Sequence, residues 1–180
     1  MNSLPKLLVA APLALLLASA PALADTIYRI SDDPIEDCRI VEETLTSVIY
    51  KPSRGADVGI SSDSVLEIKY SRMPKGVDLA ETTLRDGDIV GAVEVFEEYL
   101  EALGEGGERR YKWAPAYAAK RIIELRLTMG DMNGAARAAD RLIQDFPDSR
   151  YLPEAYLAKA NAQYWAQKDD QAQKTLKTFE

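Results

Sequence analysis

Three segments of the sequence repeat one another. Set side by side without gaps, "GDIVGAVEVF" (residues 87–96), "GDMNGAARAA" (130–139) and "QKDDQAQKTL" (167–176) share an alanine five residues after the first position, at Ala92, Ala135 and Ala172. Self-similarity at starts 43 and 37 residues apart marks an array of stacked supersecondary units. Apolar residues on either side of each copy recur at helical spacing, and a glycine-aspartate pair interrupts the first two, so each unit reads as helix, tight turn, helix. The stretch "QDFPDSRYLPEAYLAKA" (144–160) shows how one unit hands over to the next. Pro147 has no amide to donate and must end a helix, Asp148 or Ser149 serves the turn, and Pro153 with Glu154 suits the first turn of a new helix. Such a helix pair cannot cover its own apolar face, and only stacking on a neighbour buries it.

The period differs before residue 72. "TIYRIS", "CRIVEE", "TLTSVIY" and "SVLEIKY" are short, rich in β-branched and aromatic residues and partly alternating, with a further short strand around residues 58–60. "SDDPIED" and "KPSRGADVG" supply turn residues between them. Four or five strands in fewer than fifty residues predict a small antiparallel β-barrel, SH3-like or Sm-like, because a lone hairpin buries too little surface. "SRMPKG" reads as a boundary, and the two segments are expected to fold independently.

The helical part resembles the tetratricopeptide repeat family. The second copy carries the pattern best, with Gly130 and Asp131 at the turn, Ala135 and Ala139 at tight contacts between helices, and Pro147 at the end. In the first copy Leu79 and Ala80 match the first helix, and Gly87, Ala92 and Phe96 the second. The third departs, with Gln167 in place of the turn glycine and no terminal proline before Glu180. The first spacing exceeds the usual 34 residues by an insertion at "GEGGERR", and the second resembles the longer repeats of bacterial envelope members of the family. The resemblance covers residues 75–180. It implies an α+β chain in which the barrel (25–72) precedes an α-helical superhelix of about three repeats, the last incomplete. It also implies a concave groove lined by the first helix of each unit: Tyr117, Lys120, Glu124, Leu127 and Thr128 in the second, and Glu154, Leu157, Asn161, Tyr164 and Trp165 in the third. Leu176 and Phe179 are expected on the outer stripe of the last helix, covered by further chain, another copy or a partner.

Residues 1–24 have the layout of a secretory signal peptide: one basic residue, Lys6, the apolar run "LLVAAPLALLLASA", then "ALA" before Asp25. Pro12 and Pro21 interrupt the run, which favours removal over retention as an anchor, and no cysteine follows for lipid attachment. The expected location is the periplasm or the exterior. The formal charge of −7 becomes −8 without Lys6, a sign that repels phosphate backbones and anionic lipid, so neither nucleic acid nor membrane insertion of the processed chain is expected.

The residue inventory argues against catalysis. There is no histidine, which removes the commonest general base and metal ligand. Cys38, the only cysteine, reads as a small buried strand residue with no histidine to activate it. Neither a phosphate-binding glycine loop nor a "GxSxG" elbow is present. The acids of "SDDPIEDC" match no calcium loop and suit a solvated hairpin turn. "RRYKW" (109–113), the one basic cluster, is either a docking patch for an acidic peptide or packing for the inserted loop. The sequence therefore predicts a non-enzymatic, cofactor-free exported scaffold that binds a protein or peptide in the groove, alone, as a homo-oligomer or within a larger envelope complex. Two alternatives stand beside it: a structural subunit of an envelope assembly recruited through its barrel, and a piece of a longer enzyme or enzyme accessory.

Overall fold

A computed structural model describes residues 24–104 and 108–179. The leader expected over residues 1–24 lies, apart from Ala24, outside the described residues, as does most of "GEGG". Five strands come first: β1 (Asp25–Arg29), β2 (Ile35–Glu43), β3 (Ser47–Pro52), β4 (Val58–Ser61) and β5 (Val65–Lys69). Six helices follow: α1 (Lys75–Arg85), α2 (Ile89–Ala102), α3 (Ala114–Thr128), α4 (Met132–Asp145), α5 (Leu152–Trp165) and α6 (Asp169–Phe179). Among the described residues no helix is long and apolar enough to cross a membrane.

The strands form one antiparallel sheet in the order β4-β3-β2-β1-β5. Alternation puts Ile27, Cys38, Ile40, Val48 and Ile68 on the buried side, and Val65 joins them where the β1–β5 register shifts between Tyr28 and Arg29. The sheet is open, which corrects the expected closed barrel. Its two edges are joined by a single 3-10 turn, Ser62–Ser64, whose backbone bonds elsewhere: the Ser62 amide donates to the Thr46 carbonyl (3.1 Å) and the Ser64 carbonyl accepts from the Ile30 amide (3.0 Å). With the turn so engaged, β4 and β5 remain separate edges and no ladder closes the sheet. "TLTSVIY" is likewise divided, because Thr44 caps the turn into β3: its hydroxyl accepts from the Ser47 amide at 3.0 Å.

Three helix-turn-helix units follow, and their turns share one hydrogen-bond pattern. The amides of Gly87, Gly130 and Gln167 each donate to the carbonyl three residues back, at 2.9 Å in every case. The next residues, Asp88, Asp131 and Lys168, donate to the carbonyl five back. This is the Schellman ending of a helix, which needs a left-handed residue at its centre. Gly87 (φ 89°), Gly130 (φ 74°) and Gln167 (φ 59°) supply it. Asp88 and Asp131 then cap the following helices, accepting at 2.8 Å from the amides of Gly91 and Gly134.

Each helix packs on its neighbours in sequence, and α3 also meets α5. Ala92, Ala135 and Ala172 are all buried, as their shared spacing requires, and so are Ala80, Phe96 and Ala139. Leu79 is the exception. It is 56% exposed, so α1 turns Ala80 and Val77 inward and leaves Leu79 on the surface. At the α4–α5 junction Ser149 is the residue that serves the turn: its amide donates to the Phe146 carbonyl and its hydroxyl accepts from the Tyr151 amide at 3.1 Å.

Candidate binding surfaces

The sheet and the helices meet around a buried carboxylate. Glu43 ends β2, and its side chain is 2% exposed. Tyr70, just past β5, donates its hydroxyl to one Glu43 oxygen, while the other accepts from the Tyr151 hydroxyl (3.2 Å) and the Arg150 guanidinium (3.4 Å). Burial pushes the Glu43 carboxyl above its ordinary value, and the bonds from Tyr70 and Arg150 offset this only in part. Trp113, entering α3, stacks on Tyr70 with ring centres 3.6 Å apart, and Tyr117 meets both rings edge-on. Asp25 provides a second tie. Its carboxylate accepts from the Ile40 amide and from the amide and hydroxyl of Ser71, at 2.8–3.0 Å.

This junction fixes the α3 part of the expected groove. Tyr117, Lys120, Glu124 and Thr128 recur at intervals of three and four and so share one side of α3. Tyr117 donates to Glu81 of α1 at 2.7 Å; Arg121 bridges Glu81 and Glu124 at 2.7 and 2.8 Å. Lys120 pairs with Glu124 at 2.6 Å, its ammonium 5.8 Å from the centre of the Tyr151 ring. Thr128 turns back onto its own helix, its hydroxyl donating to the Glu124 carbonyl, and Leu127 is half-buried against the core. The α3 residues are therefore a held, charge-balanced platform.

The α5 part is free. Leu157, Asn161, Tyr164 and Trp165 share one side of that helix, with Glu154 a turn before them. Leu157 is 54%, Tyr164 63% and Trp165 70% exposed. The rings of Tyr164 and Trp165 stand edge to face at 6.3 Å. Large apolar residues grouped in this way on a helix face mark an interaction surface more often than isolated ones do. On α6, Leu176 is exposed, and the Phe179 ring lies 5.1 Å from that of Tyr156.

The opposite side of α3, carrying Ala119, Ile122 and Arg126, floors a cleft of about 170 Å3 between α2 and α4. Arg126 crosses its end, bonded at 2.9 Å to both Glu97 of α2 and Asp131. The Gly134 amide, and after it the bond from Arg126, lower the Asp131 pKa. A Cβ at Gly134 would collide with the capping carboxylate of Asp131 and fall 2.7 Å from Cδ of Arg126, so any side chain there would have to displace them. A wider cleft of about 440 Å3 follows one unit later between α4 and α6, with a polar lining that includes Lys159, Gln163, Gln171 and Thr175.

Other sequence readings meet definite surroundings. Cys38 is buried, its thiol donating to the Asp25 carbonyl at 3.3 Å and pushed up to about 11 by burial, which suits packing and not nucleophilic attack. The loop joining β1 and β2 is closed by Arg29, which bonds to the Asp33 carbonyl and pairs with Asp32. Among the described residues no group of acids, cysteine or histidine is arranged to hold a metal ion. In "RRYKW" the aromatics pack, but against the sheet junction, and Lys112 reaches Glu42 at 3.6 Å. Sequence reasoning missed Glu43, Tyr70, Glu81 and Tyr151, because nothing local links strand ends to helix starts up to 108 residues away. No family model and no curated protein matches the chain.

Proposed function

We propose that this chain is an exported, non-catalytic scaffold whose helical units are tetratricopeptide-type repeats and whose groove, along α3 and α5, binds a protein or peptide. The observation that carries the reading is the exposed stripe of Leu157, Tyr164 and Trp165 beside Asn161. Tyr and Trp are the side chains that most often dominate binding energy, and here they project from a helix whose position is already set by packing, so a partner would order little of the receptor on docking. The three matching turns and the buried alanines support the repeat assignment. Export rests on the leader sequence.

A peptide library displayed on phage and panned on the chain tests the groove. Selected peptides are expected to carry an apolar anchor, to shift the fluorescence of exposed Trp165 while buried Trp113 stays silent, and to lose affinity in Leu157→Ser and Tyr164→Ala. Peptides that bind these variants as well as the parent would move the function elsewhere. The open sheet gives one observation in favour of recruitment through the N-terminal segment. Edge strand β4, "VGIS", carries no charge or proline to block strand addition, unlike β5 with Glu67 and Lys69. Lys or Pro placed on β4 would abolish recruitment on that reading and leave peptide capture intact.

A further inference from the structure

The cleft between α2 and α4 combines an apolar floor with cations that the fold leaves for a ligand. Leu100, Ala119 and Ile122 form the floor and Ala138 one wall. Three arginines line it, and they are not equivalent. Arg126 is committed to Glu97 and Asp131, which also neutralises the one acid in the lining. Arg137 makes no ion pair among the described residues. Arg141 reaches Asp145 at 3.3 Å, but both side chains are nearly half exposed, and a pair of that kind is easily exchanged. Arg137 and Arg141 stand four residues apart on one face of α4, so both line one opening above an apolar floor.

We infer that this cleft is a binding site for a carboxylate carried next to a short aliphatic group, the carboxylate received by Arg137 and Arg141 and the aliphatic group seated on Leu100, Ala119 and Ile122. Guanidinium groups match carboxylates with paired, charge-assisted hydrogen bonds. The volume of about 170 Å3 compares with an apolar cavity of about 150 Å3 that holds benzene, so four or five carbons fit. Glu94, Glu98 and Glu101 on α2 stand outside the lining and disfavour an extended polyanion, which narrows the ligand to a single carboxylate. The chemistry is shared by the carboxyl-terminal residue of a peptide and a free branched-chain acid. The site lies on the side of α3 away from Tyr117, Lys120 and Glu124, so it does not depend on the groove.

Calorimetric titration of the full chain with N-acetyl-leucine, N-acetyl-leucinamide and isovalerate tests it. N-acetyl-leucine or isovalerate should bind saturably, and the uncharged amide at least about tenfold more weakly. Arg137→Gln combined with Arg141→Gln should weaken the acid by a similar factor with the helical spectrum unchanged. Ala138→Leu, which fills the cleft and keeps the arginines, should also abolish binding, while Leu157→Ser in the groove should not affect it. Preference for N-acetyl-leucine over isovalerate assigns the site to a peptide terminus, and the reverse to a free acid. Absence of saturable binding of either acid at millimolar concentration, equal binding of the amide, or indifference to the arginine pair would overturn the inference.

Discussion

Gln167 occupies a position that the two earlier units give to glycine, and exchanging the residues measures what that costs. With φ at 59° it lies in the left-handed region, where a side chain costs about 1–2 kcal/mol. Gln167→Gly removes that strain but gives the unfolded chain more freedom, at a cost of about 0.5–1 kcal/mol. The net expectation is a gain of about 0.5–1 kcal/mol, or about 1–4 °C in melting temperature for a chain of this size. Gly130→Gln is the mirror experiment. A Cβ at Gly130 would have nothing within 4 Å, so only the backbone opposes the change, and a loss of similar size is expected. Urea unfolding followed by far-ultraviolet circular dichroism reads both, and an unchanged m-value shows that stability and not the extent of unfolding has moved. Amide exchange along α6 should slow in Gln167→Gly, because that helix packs mainly on α5. If Gln167→Gly is neutral or destabilising at constant m while Gly130→Gln destabilises, left-handed strain is not what distinguishes the third turn.

Lys168→Asp should add the cap that Asp88 and Asp131 provide in the other units, for a gain of about 1 kcal/mol in the same unfolding assay. Ala135→Leu should cost about 1–3 kcal/mol, since the residue is fully buried; an unchanged urea midpoint would refute the close helix contact. Glu43 has a folded pKa raised from 4.5, so the native state holds its proton more tightly than the unfolded chain does. Its contribution is complete below that value and is lost as pH rises through the folded pKa. The stability of the parent minus that of Glu43→Gln should therefore fall as pH rises above 4.5, and a flat or rising difference in urea titrations would contradict the assignment. Residues 75–180 expressed alone should keep a helical spectrum but unfold at lower urea than the full chain, because Trp113 and Tyr151 lose Tyr70 and Glu43; equal midpoints would show that the junction adds nothing.

The helical units were legible in the sequence because their determinants are local. A glycine-aspartate pair ends one helix and caps the next, Pro147 stops a helix, Pro153 opens another, and an alanine at a fixed offset leaves room for a neighbour. Each of these acts within about five residues, and all reappear in the structure at their expected places. Most strand positions were legible for the same reason, since alternation and turn residues are local signals, although β2 begins at Ile35, inside the expected turn "SDDPIED". Sheet closure was not. It depended on whether β4 and β5 pair, and the 3-10 turn between them instead donates from Ser62 to the Thr46 carbonyl and accepts at Ser64 from the Ile30 amide. The α5 stripe could be placed from spacing alone, but spacing could not show that Tyr117 and Lys120 are held by Glu81, Glu124 and Tyr151 while Tyr164 and Trp165 stand free. Nor could it place Glu43 among Tyr70, Arg150 and Tyr151, or set Arg137, which has no ion pair among the described residues, beside an apolar floor. Local sequence decides where backbone hydrogen bonds begin and end; which side chains lose water, and which charges meet, is decided only when distant elements come together.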